Sequence, residues 1–433
     1  MSTRRKLFLV SIIAFLAIGP YAQEKDSVQT ESKVNLKVVY EKTFDEPIVD
    51  VIFDTATVSI EEAKKMGWKE EAFTAEDKIQ EKVLISYPKV VLISRGRELT
   101  WLPDERRNCY DTKELRFYDK NGMIINKIVL KEDGEHIHFS PNNKYILVSR
   151  VPTDWNPQSP GGTLYDLDGK KIWGIEGSTP IAVSDEGYAV AVYRDWDIPP
   201  SRKGDFYVYD SKGKLLKTIE NPLKGKTTPE YTQFSKNGEY AIICFSGGIC
   251  APSVFLLITK EGETLWKKEF PKHYYSRWVG EIDILVDKGI AGCVENGGVW
   301  AFYFDWRGNL RWFTQLNTLG YACCKFAYDA EKVYVSSSTG YLWCFNKDNG
   351  SIIWMEKITD KGRAFTELYE KNQWIILKDD EYARCFFFDS KTGKLKGKIE
   401  YPGKKIFLFQ HNGIIFVINA TDNRIQALKI EGE

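Results

Sequence analysis

The sequence predicts an all-β fold built from repeated sheets, on three observations. One unit recurs: an aromatic-rich strand, an Asp or Asn, a Gly a few residues on, and often a Trp four residues after that Gly. Its clearest copy runs from Tyr341 to Trp354, with Asn346 and Gly350 between them. The turn glycines Gly122, Gly169, Gly213, Gly262, Gly308, Gly350, Gly393 and Gly432 follow one another at spacings of 39 to 49 residues, and a period in this range marks stacked supersecondary units. Aromatics are abundant, with 13 Trp, 23 Tyr and 24 Phe, and Val/Ile-rich runs are short, which suits strands. Each unit reads as four short strands, and a repeated four-stranded meander of this length is a propeller blade. The expected architecture is therefore an eight-bladed β-propeller of four-stranded antiparallel blades. Seven blades are the alternative count.

The elements follow in order. Leu36 to Phe44 reads as a strand, and Pro47 to Phe53 as the first inner strand. Residues 55–82 interrupt the first blade and predict a helical insertion. Ser59 and Glu62 are spaced as a capping box, in which each side chain reaches the other's backbone N–H. Glu61 to Met66 suits a short helix ended by Gly67, and a second helix is expected from Thr74. The second blade reads as strands at 135–140, 144–149, 163–166 and 170–173. Its first turn, Ser140 to Asn143, is matched by Ser184 to Gly187 and Ser235 to Gly238. There Ser hydrogen-bonds the turn backbone and Gly or Asn accepts positive φ. Trp173, Trp266, Trp312 and Trp354 stand four residues past their turn glycines, where other units carry Asn126, Lys217 and Gly397. A large ring there is expected to fill the wedge between diverging blades. The last repeat supplies three strands, near 405–409, 413–419 and 424–430, and then the chain ends. The strand at Leu36 to Phe44 is the expected fourth, closing the ring and removing open edges.

Charge and targeting signals bound the function. The chain carries 60 basic and 60 acidic residues, so no basic field points to nucleic acid. Arg4, Arg5 and Lys6 precede an apolar run from Leu7 to Ile18 and the segment Gly19 to Ala22. That run suits a signal peptide better than a membrane span. Residues 1–22 are read as a signal peptide, 23–35 as a linker and 36–433 as the propeller, with periplasmic or secreted localisation and no membrane span in the mature chain. The eight cysteines, at 109, 244, 250, 293, 323, 324, 344 and 385, are irregularly spaced. They suggest no zinc framework, and several are expected to be buried thiols.

The segment from Asn346 through Trp354 resembles the tryptophan-docking motif of quinoprotein-type (pyrroloquinoline quinone-type repeat) propellers, and the turns at Phe139-Ser140 and Phe234-Ser235 resemble those of WD-like propellers. The resemblance spans roughly residues 36–433. It implies a β-propeller, usually extracytoplasmic. The family includes both quinone-dependent dehydrogenases and non-catalytic scaffolds, among them an outer-membrane assembly lipoprotein whose lipid-anchor Cys this chain lacks. Some dehydrogenases of the family carry a vicinal disulfide beside the cofactor, which draws attention to Cys323 and Cys324. Their calcium site of Glu, Asn and Asp cannot be assembled from this sequence.

Function in such a ring is expected at the central funnel and on the face where long loops converge. Aligning the inner strands on their turns puts Asp50, His136, Tyr231, Asp283, Lys325 and Thr366 at one level, facing either a ligand or a water-filled channel. Arg95, Arg150 and Arg194 close the same strand in three consecutive blades. The segments after them, 96–113, 151–162 and 195–205, hold Trp101, Trp155 and Trp196. Three guanidiniums rimmed by indoles fit a carboxylate, a phosphate or an acidic peptide; the bland alternative is local pairing with Asp104, Asp154, Asp195 or Asp197. His136 and His138 share a strand face, but no third metal ligand accompanies them. The function expected is an exported, non-catalytic, monomeric platform for a protein or peptide of the cell envelope, with no cofactor. The partner-binding surface would comprise Arg95, Arg150, Arg194, Trp101, Trp155 and Trp196 with the funnel residues His136, Tyr231, Asp283 and Lys325. The alternatives are a quinone-dependent oxidoreductase with a funnel site, a lyase or hydrolase using His136, and a polysaccharide-binding propeller.

Overall fold

Short runs of β-branched and aromatic residues, cut by Ser, Asn, Asp and Gly turns, become strands almost throughout. A computed structural model describes residues 36–45, 48–101, 107–130, 135–150, 160–192, 205–223, 229–245, 253–269, 278–285, 289–295, 299–316, 324–328, 331–337, 340–358, 365–371, 374–379, 384–400, 405–411, 414–419 and 423–430. The signal peptide and linker expected over 1–35 lie outside these residues. The described residues form eight four-stranded sheets, and seven of them are meanders of strands consecutive in sequence. The eighth joins the chain's two ends. Strand β1 (Leu36–Thr43) pairs antiparallel with the last strand (Arg424–Ile430), which leads on to Ile414–Asn419 and Lys405–His411. The N-terminal strand thus stands where the sequence placed it. Among the described residues no helix is long and apolar enough to cross a membrane.

The first meander carries its two short helices at the tip of a long hairpin. Strands β2 (Ile48–Ser59) and β3 (Lys82–Trp101) pair outward to Ser59 opposite Lys82, so the segment read as a helical insertion is helical as expected except at its ends, into which the strands reach. The cause is visible in the alternation of Val83, Ile85 and Tyr87, all buried, with exposed Leu84. Helices α1 (Ile60–Lys65) and α2 (Ala75–Gln80) cap the hairpin, with one 3-10 turn, Glu70–Ala72, between them. Both carry capping boxes, Ser59 with Glu62 and Thr74 with Asp77. This cap folds down onto β1. The Lys69 N–H donates to the Val39 carbonyl at 2.8 Å, and Lys37 and Glu71 form an ion pair at 3.2 Å. Trp68 and Tyr40 rings lie 5.1 Å apart, within one core that also holds Ala63, Phe73, Phe416 and Ile425.

Each sheet buries residues against the next. Strands β4 (Arg107–Tyr118) and β5 (Ile124–Leu130) complete the first meander; β6 (Glu135–Phe139), β7 (Tyr145–Arg150), β8 (Gly161–Asp166) and β9 (Lys171–Glu176) form the second. Leu92, Leu115 and Phe117 of the first pack on Ile146 and Val148 of the second. Leu147, Leu164 and Trp173 of the second pack on Ala189, Ala191 and Tyr209 of the third. The same pattern continues through Val208 with Ile243, Phe255 with Phe302, Tyr303 with Val335, and Tyr334 with Phe386. The sheet that holds β1 and Arg424–Ile430 packs against the first, with Phe53 and Phe416 ring centroids 4.1 Å apart.

The recurrent tryptophans do the packing expected of them. The Trp266, Trp312 and Trp354 indoles donate to the carbonyls of Trp306, Lys347 and Ser390 in the turn of the following sheet, at 3.0, 2.7 and 3.3 Å. Where Asn126 replaces Trp, its amide donates to the Gly169 carbonyl at 2.8 Å and so keeps the same link. Cys244, Cys293, Cys344 and Cys385 are buried as thiols in these inter-sheet layers.

Candidate functional site

The first strand of each meander and the connections after its second strand decide what the funnel and the loop face present. His136, Tyr231 and Lys325 stand opposite Ser149, Cys244 and Ser336. Those partners lie three places beyond Ile146, Ala241 and Val333, which face Tyr165, Ile258 and Phe345, the residues just before the Asp166, Thr259 and Asn346 that open the next turn. The three are therefore at one level, as the sequence alignment had them; Asp50 stands opposite Leu92. Asp283 does not join that level. It faces Ala291, one place beyond Ile290, so it sits two residues nearer the hairpin turn. The reason is a shorter connection: 286–288 separate Leu285 from its partner Gly289, whereas 140–145 separate Phe139 from its partner Ile146. Thr366 falls within a register shift between Phe365 and Glu367.

Side chains are described for part of this set. The Tyr231 hydroxyl donates to Gln233 Oε1 at 2.6 Å, along the same strand face. His136 is exposed, while His138 is partly buried. Burial, with a smaller contribution from His136, pushes the His138 imidazole down to about 4, so it is neutral near pH 7. Among the described residues no group of three His, Cys, Asp or Glu side chains is placed to hold a metal.

Arg150 ends β7, with its guanidinium Nη2 2.6 Å from Glu176 Oε1. Arg150, Gly161 and Glu176 lie in one row across β7, β8 and β9. Gly161 has no side chain in the guanidinium's path, and a Cβ there would collide with Arg150 Nη2. Among the described residues Arg150 pairs with Glu176 on the outer strand; Asp154, weighed from sequence, lies outside them. The pair is open to solvent, at 32% and 70% relative exposure. Thr179 of the next sheet donates its hydroxyl to the Arg150 carbonyl at 2.9 Å, fixing the strand end. Gly161 and Glu176 were missed in the sequence; the Gly161-Gly162 pair was the available signal.

Arg95 is not at a strand end. It sits at a register shift between Ser94 and Arg97, and β3 continues to Trp101 opposite Arg107. The loop expected over 96–113 is therefore largely a hairpin arm, in which Glu98, Leu99, Thr100 and Trp101 pair with Tyr110, Cys109, Asn108 and Arg107. Arg194, Trp155, Trp196 and Cys323 lie outside the described residues, and the side chains of Arg95, Trp101, Asp50, Asp283, Lys325 and Cys324 are likewise outside them.

The opposite ends of these strands carry tight, mutually tied turns. Asn142 donates its backbone N–H to Asp185 at 3.0 Å, and its amide both to Asp185 and to the Lys236 carbonyl, the latter at 2.8 Å. One side chain so links the first turns of three successive sheets. Lys260 adds ion pairs to Glu186 at 2.7 Å and Glu239 at 2.8 Å.

No known family's sequence profile matches the chain, and no curated protein matches it in sequence. Solved structures do match in shape. BamB from Moraxella catarrhalis superposes with a TM-score of 0.54 at 12% identity, over 92% of this chain and 99% of that one. The C-terminal WD40 domain of Sif2 gives 0.55 at 10% identity, over 92% and 99%. Saccharomyces cerevisiae Sqt1 gives 0.53 at 8% identity, over 79% and 93%. The fold is a β-propeller. At these identities the likeness extends to fold alone. In this propeller the Arg150 row and the first-strand level of His136, Tyr231 and Lys325 belong to the end of the blades where second strands finish, and the tied turns belong to the other end.

Proposed function

We propose that the chain is an exported, non-catalytic propeller of eight blades, closed by β1, that binds a protein or peptide partner on the face where second strands end. The observation that carries this reading is the asymmetry of the two faces at the second and third sheets. The connections between second and third strands span 151–160 and 193–205 in successive sheets, whereas the first turns span 140–144, 184–188 and 235–239. The short turns are tied to one another through Asn142, which leaves the other face to carry variable, ligand-facing chain. Arg150 stands at the base of one long connection with its charge exposed, in an ion pair that a partner's carboxylate can replace. Arg95, Arg194, Trp101, Trp155 and Trp196 are proposed to complete that surface, with His136, Tyr231 and Lys325 at the funnel beneath; Asp283 belongs deeper in the funnel. The shape likeness to BamB and to WD40 propellers is consistent with an interaction platform. A signal peptide at 1–22 would deliver it to the periplasm or beyond, as a monomer.

The test is site-specific photo-crosslinking in the native host, with the probe at Trp155 and, as a control, at Leu265 on an outer strand. A polypeptide adduct from position 155 that weakens with Arg150→Ala supports the reading. Equal adducts from both positions, or adducts indifferent to Arg150, overturn it. The mass of the mature chain from the same cells checks the processing: a start near residue 23 is expected, and an intact residue 1 contradicts export by cleavage.

A further inference from the structure

A cleft of about 230 Å³ lies away from the loop face, between β1, the end of α1, β3 and the turn joining β4 to β5. Lys42, Lys65 and Lys120 line it, with Tyr40 and Tyr87 as aromatic walls and Asn121 in the turn. The Lys42 ammonium is half-buried, 5.0 Å from the Tyr118 ring centroid and 5.3 Å from that of Phe44. Among the described residues it has no hydrogen-bond acceptor, and no carboxylate lies within ion-pair distance of Lys42 or Lys65. The carboxylates at the cleft are otherwise engaged. Glu41 accepts from Gln426 at 2.6 Å and pairs with Arg424 at 3.4 Å; Asp119 accepts the Met123 N–H at 2.8 Å within its own turn. Lys120 reaches Glu62 only at 3.9 Å, between exposed side chains, where such a pair contributes little.

A partly desolvated cation without an acceptor is costly, and an anion completes it. Burial holds the Lys42 amine below its ordinary value despite the attraction of Asp119, which is the sign of an incompletely compensated charge. The volume is below that of sites for drug-sized ligands, so it suits a single ring with one oxyanion group and does not suit a peptide segment. We infer that this cleft binds a small aromatic or apolar-bodied oxyanion, with Lys42 and Lys65 taking the carboxylate or phosphate group and Tyr40 and Tyr87 flanking the body.

The experiment is calorimetric titration of the full mature chain with phenyl phosphate, inorganic phosphate and phenol, each in the millimolar range. Saturable binding of phenyl phosphate is expected, at least tenfold tighter than that of phosphate or phenol alone. Lys42→Met and Lys65→Met should each weaken it about tenfold, and Lys42→Arg should retain it. Lys65 is on the cap, so Lys65→Met remains informative even where Lys42→Met disturbs β1. Phenyl phosphate binding that is absent, or is unchanged in Lys65→Met, overturns the inference. Arg150→Ala should leave the titration unaltered; a loss there would place the ligand on the loop face instead.

Discussion

Trp312 lies flat against Gly350 of the following sheet, with its Nε1 hydrogen on the Lys347 carbonyl at 2.7 Å. Gly350 has φ of +68°, and a Cβ there would stand 2.5 Å from the indole Cγ. Two requirements coincide at one residue: a left-handed backbone and an absent side chain. The left-handed conformation costs an L-residue roughly 1–2 kcal/mol, and overpacking adds about 1–3 kcal/mol. Gly350→Ala is expected to destabilise the fold by about 2–5 kcal/mol in denaturant titration. Gly177 is the comparison, because its φ is +81° and nothing lies within 4 Å of its Cβ position; Gly177→Ala should cost only about 1–2 kcal/mol. Equal losses at the two sites would show that the indole contact carries no weight.

His138 gives the fold a pH dependence with a fixed sign. Its folded-state value near 4 is below the ordinary 6.5, so the unfolded chain takes up a proton first as pH falls. Stability is therefore lost progressively from about pH 7 down to about pH 4 and flattens below that. Allowing for its partial exposure, the contribution is roughly 2 kcal/mol. Carboxylates act in the same range, so the measurement is the difference between wild type and His138→Gln in melting temperature at pH 7 and pH 4. The variant should lose less on acidification; an identical loss would mean that His138 is not buried neutral.

Arg150 and Glu176 form an exposed pair, and such pairs are worth about 0–1 kcal/mol. Arg150→Ala should leave the unfolding midpoint almost unchanged while weakening partner adducts on the loop face. A large stability loss in Arg150→Ala would reassign the residue to structure.

The Ser59 hydroxyl accepts the Glu62 N–H at 3.2 Å, and Glu62 accepts the Ser59 N–H at 3.1 Å. Removing this reciprocal cap by Ser59→Ala should cost about 1 kcal/mol, and the loss should be local. Hydrogen exchange would show it as faster exchange in α1 and at the Lys69 amide that bonds β1. Uniform acceleration across distant sheets would instead show that the cap and the propeller open together.

Much of the fold was legible because its signals are local. The Asp-to-Gly turns, the Ser140, Ser184 and Ser235 turns and the docking Trp residues each lie within a few residues of what they specify. The closing strand was also legible, since a three-stranded last repeat leaves a vacancy that an unassigned N-terminal strand can fill. What failed was register and reach. Asp283 was misplaced because a shorter turn shifts its pairing while leaving the surrounding residue types unchanged. The partner of Arg150 depends on a row running across three strands through Gly161, which no linear spacing displays. The descent of the cap onto β1 rests on Trp68, Tyr40 and Phe416 meeting from three distant segments, and the lysine-lined cleft exists only because of that descent.

The pairing of β1 with Arg424–Ile430 has a temporal consequence. One sheet joins the strands Leu36–Thr43 and Arg424–Ile430, 385 residues apart in sequence at Glu41 and Gln426, so it cannot be finished until the segment 424–430 has been synthesised. Until then the earliest-made strand, with Val39 and Tyr40, has no edge to join, and non-local closure of this kind is the slow step in assembling β topologies. Such a delay keeps an incomplete molecule from settling early, and it leaves an aggregation-prone edge waiting in the meantime. A chain stopped short of residue 424 should therefore be recovered as an insoluble or protease-sensitive species rather than as a smaller propeller.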